Sequence, residues 1–229
     1  MPGPEPAEFE GFSPDAFQFL VDLALNNDRS WFQPRKADFE RLWKRPLEAL
    51  CVALGAELAD RSLTLSADPD RSPFRIYRDV RFSADKSPYK TAVSASFPWT
   101  GPGGGVGAYL HLEPGACYVG GGMWHPAPAR LAAWRAMIVG DRQRVHACLD
   151  DPGFRATFGS VDGDALKRAP TGYAADDPDI ELLKLKDITF GRRLSDAEAG
   201  SRDLPRTLAA TFVPAVPVLE LLALLPGDG

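Results

Sequence analysis

The apolar positions of this chain change period twice. Beyond Ser13, Phe17, Leu20, Val21 and Leu25 recur at helical spacing. Ser13-Pro14-Asp15 offers a capping hydroxyl, a proline suited to the first helical position and a carboxylate for the positive end of the dipole. A helix is predicted from there to Asn26-Asn27-Asp28. Ser30 with Gln33 reads as a capping box for a second helix, whose apolar face uses Phe32, Phe39, Leu42 and Trp43. Pro46 bends or divides it, and Leu47, Leu50, Leu54 and Leu58 carry the pattern to Asp60.

Residues 62–73 read as a loop, and then the period shortens. Phe74–Phe82, Thr91–Trp99, Val106–Glu113 and Cys117–Gly120 are rich in β-branched and aromatic residues and are predicted as strands. Pro114-Gly115 is a tight turn and Thr100–Gly105 a flexible one, so neighbouring strands run antiparallel. The helical period returns over Ala129–Val139, Gln143–Leu149 and Gly153–Phe158. Leu183–Phe190 reads as one more strand, and Ser195–Ala199 and Pro205–Leu225 as helices, the last broken by prolines. Helices, strands, then helices predict an α+β fold: a mainly antiparallel sheet flanked by N-terminal and C-terminal helices.

Composition narrows the class. With 229 residues, 45% hydrophobic and 25% charged, the chain matches an ordinary soluble protein. No apolar run is expected to cross a membrane, since Phe212–Leu225 carries Pro214, Pro217 and Glu220. Residues 1–8 read as a flexible lead-in without the basic and apolar regions of a secretory signal. Cys51, Cys117 and Cys148 form no Cys-x-x-Cys pair and read as reduced thiols, which places the protein in the cytoplasm. A pI near 5.3 argues against a general nucleic-acid binder. His111, His125 and His146 have no metal-site spacing, and His111-Leu-Glu113 lacks the Pro-Cys-x-x-Cys that a zinc deaminase needs. No metal and no cofactor are expected, and the sequence does not speak to oligomeric state.

Charge then singles out one segment. Between Arg71 and Lys90, six basic residues face two aspartates, on a chain whose net charge is −5. Such a local excess suggests that an anion is held there. With Arg75–Phe82 as a strand, Ile76, Arg78, Val80 and Phe82 share one face, and Arg75, Tyr77, Asp79 and Arg81 the other. Lys86, Tyr89 and Lys90 follow in a loop shaped by Ser87-Pro88. Gly120-Gly-Gly-Met-Trp124 reads as a strand-to-helix turn whose backbone N–H groups, ahead of a helix N-terminus, suit an anion. It is neither a P-loop nor a dinucleotide fingerprint. The bland alternatives are a solvated strand face with local Arg–Asp pairs and a tight turn with Trp124 as a packing residue.

The motifs Gly11-Phe-Ser-Pro14, Asn26-Asn-Asp-Arg-Ser-Trp-Phe32, Arg75 to Thr91, Tyr109-Leu-His-Leu-Glu-Pro-Gly115, Gly120 to Trp124, Lys167-Arg-Ala-Pro-Thr-Gly-Tyr173 and Leu182-Leu-Lys-Leu-Lys186 resemble, nearly end to end, a family of uncharacterised bacterial and fungal proteins. It is known as domain-of-unknown-function family 2461. The resemblance implies one α+β domain, taken as residues 9–225, and supplies no reaction. It also implies that these distant polar motifs serve one site, built from Arg75, Tyr77, Asp79, Arg81, Lys86, Tyr89, Lys90, Gly120, Gly121, Gly122 and Trp124, with Lys184 and Lys186 as further candidates. The expected function is binding of, or catalysis on, an anionic small molecule such as a phosphate or nucleotide. The alternatives are an interaction module gripping an acidic protein or a nucleic-acid end, and a purely structural role for the arginines. No nucleophile is identifiable.

Overall fold

The computed structural model describes residues 8–226, so the expected lead-in lies, apart from Glu8, outside the described residues. The first helix, α1, is Pro14–Leu25, and the Ser13 side chain accepts from the Ala16 N–H as expected. Its buried stripe is Ala16, Phe19, Leu20 and Leu23, rotated from the predicted one, and Leu25 is left exposed. Asp28, not Ser30, caps the next helix: its carboxylate accepts from the Trp31 N–H and from the Ser30 hydroxyl. An ionised carboxylate takes both donors, which a serine paired with Gln33 cannot match.

From here the chain runs through α2 (Arg29–Phe32), a 3-10 turn (Gln33–Arg35), α3 (Lys36–Phe39) and a π segment (Glu40–Lys44) into α4 (Arg45–Asp60). Pro46 sits in the first turn of α4, where its missing N–H costs nothing, so the long helix divides where the sequence suggested. The Trp43 indole donates to the Ala16 carbonyl at 2.7 Å and ties this run to α1.

Four strands form one antiparallel sheet in the order β1 (Val93–Pro98), β2 (Gly107–Leu112), β3 (Tyr118–Met123) and β4 (Ile188–Arg193). Around it lie α5 (Pro128–Gly140), α6 (Arg142–Leu149), α7 (Pro152–Phe158), α8 (Ile180–Lys184), α9 (Asp196–Gly200), α10 (Leu204–Phe212) and, after a 3-10 turn, α11 (Val216–Ala223). The architecture is α+β, with helices before and after the sheet. Alternation decides which face is which. Ala95, Phe97, Ala108, Leu110, Leu112, Val119, Met123, Ile188 and Phe190 are buried against the helices, where Phe97 meets Phe212 and Phe190 meets Phe154. The opposite face carries serines, glycines, tyrosines, a histidine, a threonine and an arginine.

Three segments differ from expectation. Phe74–Phe82 is not a strand: it runs as an irregular arm bridged to its own continuation at Tyr77 and Tyr89, with Ile76 buried but Phe82 95% exposed. The cause is local. Asp79 accepts from the Arg81 N–H and Asp85 from the Ser87 N–H, so side chains take the donors that a ladder would need. Leu183–Phe190 splits into the end of α8 and the start of β4. Leu204–Ala223 forms a 20-residue apolar helical run of mean hydropathy 1.4, long and apolar enough to cross a membrane by length and composition. Leu208, Phe212, Leu219 and Leu222 within it are fully buried in this core, which accounts for its apolar character.

Candidate functional site

The basic segment divides into paired and unpaired charges. Arg81 forks onto Asp79, with bonds of 2.7 to 3.2 Å, and Arg78 pairs with Asp85. Lys86 donates to the Val80 carbonyl at 3.0 Å. The hydrogen bonds from Arg81 hold the Asp79 carboxyl below its usual range. The Ser87 hydroxyl and N–H, together with Arg78, hold Asp85 lower still. These groups fold the arm back on itself. Arg75 and Lys90 have none within 4 Å among the described residues. The Lys90 ammonium instead lies 5.1 Å from the Phe74 ring centroid. Burial, with Arg75 adding repulsion, lowers the Lys90 pKa.

Lys90 stands at one wall of a groove of about 1180 Å³ that runs over the open face of the sheet. The floor is nearly bare. Gly120 of β3 faces Gly191 of β4 and Tyr109 of β2, and Gly122 faces Thr189 and Gly107. Backbone packing demands these glycines: a Cβ on Gly120 would lie 2.1 Å from the Phe190 carbonyl oxygen, and one on Gly122 2.2 Å from that of Ile188. The walls hold Phe74, Tyr109, Tyr118, Trp124 and, at the far side, Arg193. Arg193, like Lys90, has no carboxylate within 4 Å among the described residues. A narrow, side-chain-free floor between aromatic rings, with an unpaired cation on either side, accommodates a flat molecule that carries negative charge.

A second cavity of about 570 Å³ adjoins the groove and reaches toward Asn27, Arg78 and Asp85. The two share Lys90, Ser94, Tyr109, His111 and Glu113. Along β2 the Tyr109 hydroxyl is 3.2 Å from His111 Nδ1, and His111 Nε2 is 3.1 Å from Glu113 Oε2. The Thr91 hydroxyl donates to the other Glu113 oxygen at 3.3 Å. Tyr118 stacks on the imidazole with ring centroids 4.8 Å apart. Its own phenol is pushed up to about 12 by burial, with Tyr109 and Glu113 adding to the effect.

The residues singled out from the sequence are therefore spread over three places. Lys90, Gly120, Gly121, Gly122 and Trp124 line the groove, and Tyr89 and Lys90 line the adjoining cavity. Arg75, Tyr77, Asp79, Arg81 and Lys86 line neither. Tyr77 packs against Phe32 and Tyr89. Lys184 pairs with Glu181 and Lys186 with Asp164. The glycines correct the expected turn: they lie inside β3, paired on both sides, so their N–H groups belong to the ladders and form no anion cradle. The turn itself begins at Trp124. Tyr109, His111, Glu113, Tyr118 and Arg193 were missed, although the polar alternation Tyr109-Leu-His-Leu-Glu113 marks a strand face that avoids the core. Among the described residues no three His, Cys, Asp or Glu side chains are grouped to hold a metal.

A family model described as "Conserved hypothetical protein (DUF2461)" matches residues 15–220. No curated protein and no solved structure matches the chain.

Proposed function

Because the chain belongs to the conserved hypothetical protein family DUF2461, whose description names no reaction, we propose a function from the site itself. The open face of the sheet binds a phosphorylated, ring-bearing small molecule of the nucleotide kind, in a cytoplasmic protein. The observation that carries this reading is the pair of unpaired cations, Lys90 and Arg193, facing one aromatic-walled groove on an acidic chain. Lys90 is partly buried without a carboxylate partner, so an anion beside it offsets its partial desolvation, and the exposed Arg193 is free to add a second contact. A phosphate beside either cation gains a charge-assisted hydrogen bond of roughly 1.5–3 kcal/mol. A ring laid over Gly120 and Gly122 stacks against Tyr109, Tyr118 or Trp124, worth roughly 1–3 kcal/mol.

Thermal unfolding with AMP, GMP and UMP, each compared with its nucleoside and with inorganic phosphate, tests the reading. At a hundredfold excess over Kd a ligand contributes about 2.7 kcal/mol, which raises Tm by about 5 °C or more at this chain length. Nucleotides should do this and nucleosides or phosphate alone should not. An unchanged Tm across the panel at millimolar concentration, or an equal shift in Lys90→Met and Arg193→Met, refutes it.

One observation favours the second reading, a nucleic-acid end. Trp124 is 75% exposed at the rim and the groove is open along the sheet, so a second base has a ring to stack on. A short single-stranded oligonucleotide that binds far more tightly than AMP, with steep salt dependence, would select it.

A further inference from the structure

We propose that Tyr109, His111 and Glu113 form an acid–base relay that moves a proton between the protein and an anion held on the sheet face, so that the protein is a proton-transfer catalyst. The proposal rests on the anion-binding reading above for its substrate class. Its own support is the geometry of β2. Tyr109 and His111 of β2 and Glu113 just beyond its end, at alternate positions of the chain, are joined end to end by hydrogen bonds of 3.2 and 3.1 Å. They sit in the wall common to the two cavities, beside Lys90.

The direction of the relay follows from its chemistry. An ionised Glu113 can only accept, so in the neutral imidazole Nε2 carries the proton and Nδ1 presents a lone pair. The Tyr109 hydroxyl must then donate to Nδ1, and its oxygen, which also neighbours the Tyr118 phenol, keeps a lone pair to accept a proton from the ligand. Thr91 fixes the far oxygen of Glu113, and Tyr118, stacked at an interplanar angle of 21°, fixes the plane of the imidazole. A packing role alone requires none of this order. An aromatic ladder needs rings, not a carboxylate behind a histidine behind a phenol.

The step balances without a further reagent. The X–H bond of the bound anion breaks and its proton passes to the Tyr109 oxygen. The phenol's own proton passes to His111 Nδ1. Glu113 compensates the imidazolium, and Lys90 compensates the negative charge gained by the ligand. The reverse sequence returns a proton to a different ligand atom. Tyr109, which touches the ligand, is the catalytic residue, and His111 and Glu113 are positioning residues. The titratable and charged groups around His111 are Tyr109 on β2, Glu113 just past its end, Tyr118 on β3, Arg193 on β4, Lys90, and Arg78 with Asp85 across the smaller cavity.

An aryl sulfonyl fluoride tests the relay without a known substrate. The tyrosine oxygen attacks sulfur, the S–F bond breaks, fluoride leaves and the phenol's proton goes to His111. The full chain is treated with 4-(fluorosulfonyl)benzoate, which is anionic, and with neutral benzenesulfonyl fluoride, and the modified residue is located by peptide mass. We expect an aryl sulfonate on Tyr109, formed by the anionic reagent with saturation, at a rate that rises with pH through one inflection. His111→Gln slows this labelling by about a hundredfold, the usual reach of general-base assistance. Glu113→Gln also slows it, because the imidazolium that forms as the phenol's proton transfers loses its compensating charge. Modification of Tyr118 or Lys90 in place of Tyr109, or an unchanged labelling rate in Glu113→Gln protein that melts like the parent, overturns the relay. Labelling of Tyr109 by neither reagent does the same. If only the anion-binding reading is wrong, both reagents label Tyr109 at equal rates without saturation, Lys90→Met changes neither, and the effect of Glu113→Gln persists.

Discussion

Replacing Lys90 by methionine should stabilise the ligand-free protein while it weakens ligand binding, and the two effects have separate physical origins. In the free protein the Lys90 ammonium has a phenylalanine ring beside it and no carboxylate within 4 Å among the described residues, and burial and Arg75 depress its pKa. A lysine whose folded pKa lies below its ordinary 10.5 binds fewer protons in the folded state than in the unfolded one. Stability therefore rises as pH climbs through the folded value toward the unfolded one, and below that window the charge is a standing cost. The group is only partly buried, so the cost is screened to a few tenths of a kcal/mol. For a chain of this length that amounts to about 1 °C in Tm. Methionine keeps the stem's contact with Phe74 and removes the charge. Bound anion loses one charge-assisted contact of about 1.5–3 kcal/mol, which weakens Kd by about 10- to 150-fold. Calorimetric titration with AMP measures the second effect, and thermal scans at neutral and alkaline pH measure the first. A lower Tm for ligand-free Lys90→Met, or parental affinity for AMP, would refute the reasoning.

Gly120→Ala should cost about 3 kcal/mol or more in urea unfolding, since its Cβ would sit 2.1 Å from the Phe190 carbonyl oxygen and the β3–β4 pair must open to admit it; a midpoint unchanged from the parent would show that β3 and β4 are not paired in this register. Arg81→Ala should leave both the urea midpoint and AMP affinity within error of the parent, because its acidic partner among the described residues, Asp79, is a solvent-exposed neighbour in the same arm; loss of binding would return the site to the arm. His146 is held above its ordinary pKa chiefly by its hydrogen bond to Asp179, with Asp150 adding, so its contribution is complete below the unfolded value and fades as pH rises through the folded one. Urea midpoints of the parent and His146→Gln should therefore differ most near pH 6 and converge by about pH 9; a difference that grows with pH contradicts this.

Much of the helical framework was legible because its determinants are local. Ser13, Pro14 and the proline at position 46 act within a turn of themselves, and the structure places helix boundaries where they indicate. The misread elements depend on partners far away in sequence or on competition within a few residues. Gly120 and Gly122 looked like turn residues, yet the atoms that exclude their Cβ belong to β4, some seventy positions later. Phe74–Phe82 alternates like a strand, but Asp79 and Asp85 capture the donors that a ladder requires. The basic segment was visible as a cluster of charge. Which of its cations stay unpaired was not, because Arg81 and Arg78 find carboxylates inside the same arm while Lys90 faces the sheet. The relay on β2 was written plainly as alternating polar residues. Its meaning depends on which sheet face the helices leave uncovered, and that is fixed by the packing of α10 and α11.

The claim that an anion binds on the open sheet face, and not on the arm, is tested most directly by titrating the isotope-labelled protein with AMP and following its amide and indole resonances. Binding on the sheet face gives saturable shifts at Tyr109, Tyr118, Gly120, Gly191 and Arg193 and in the Trp124 indole, with Arg81 and Lys86 unmoved. Shifts confined to residues 78–87, or none at millimolar AMP, would contradict it.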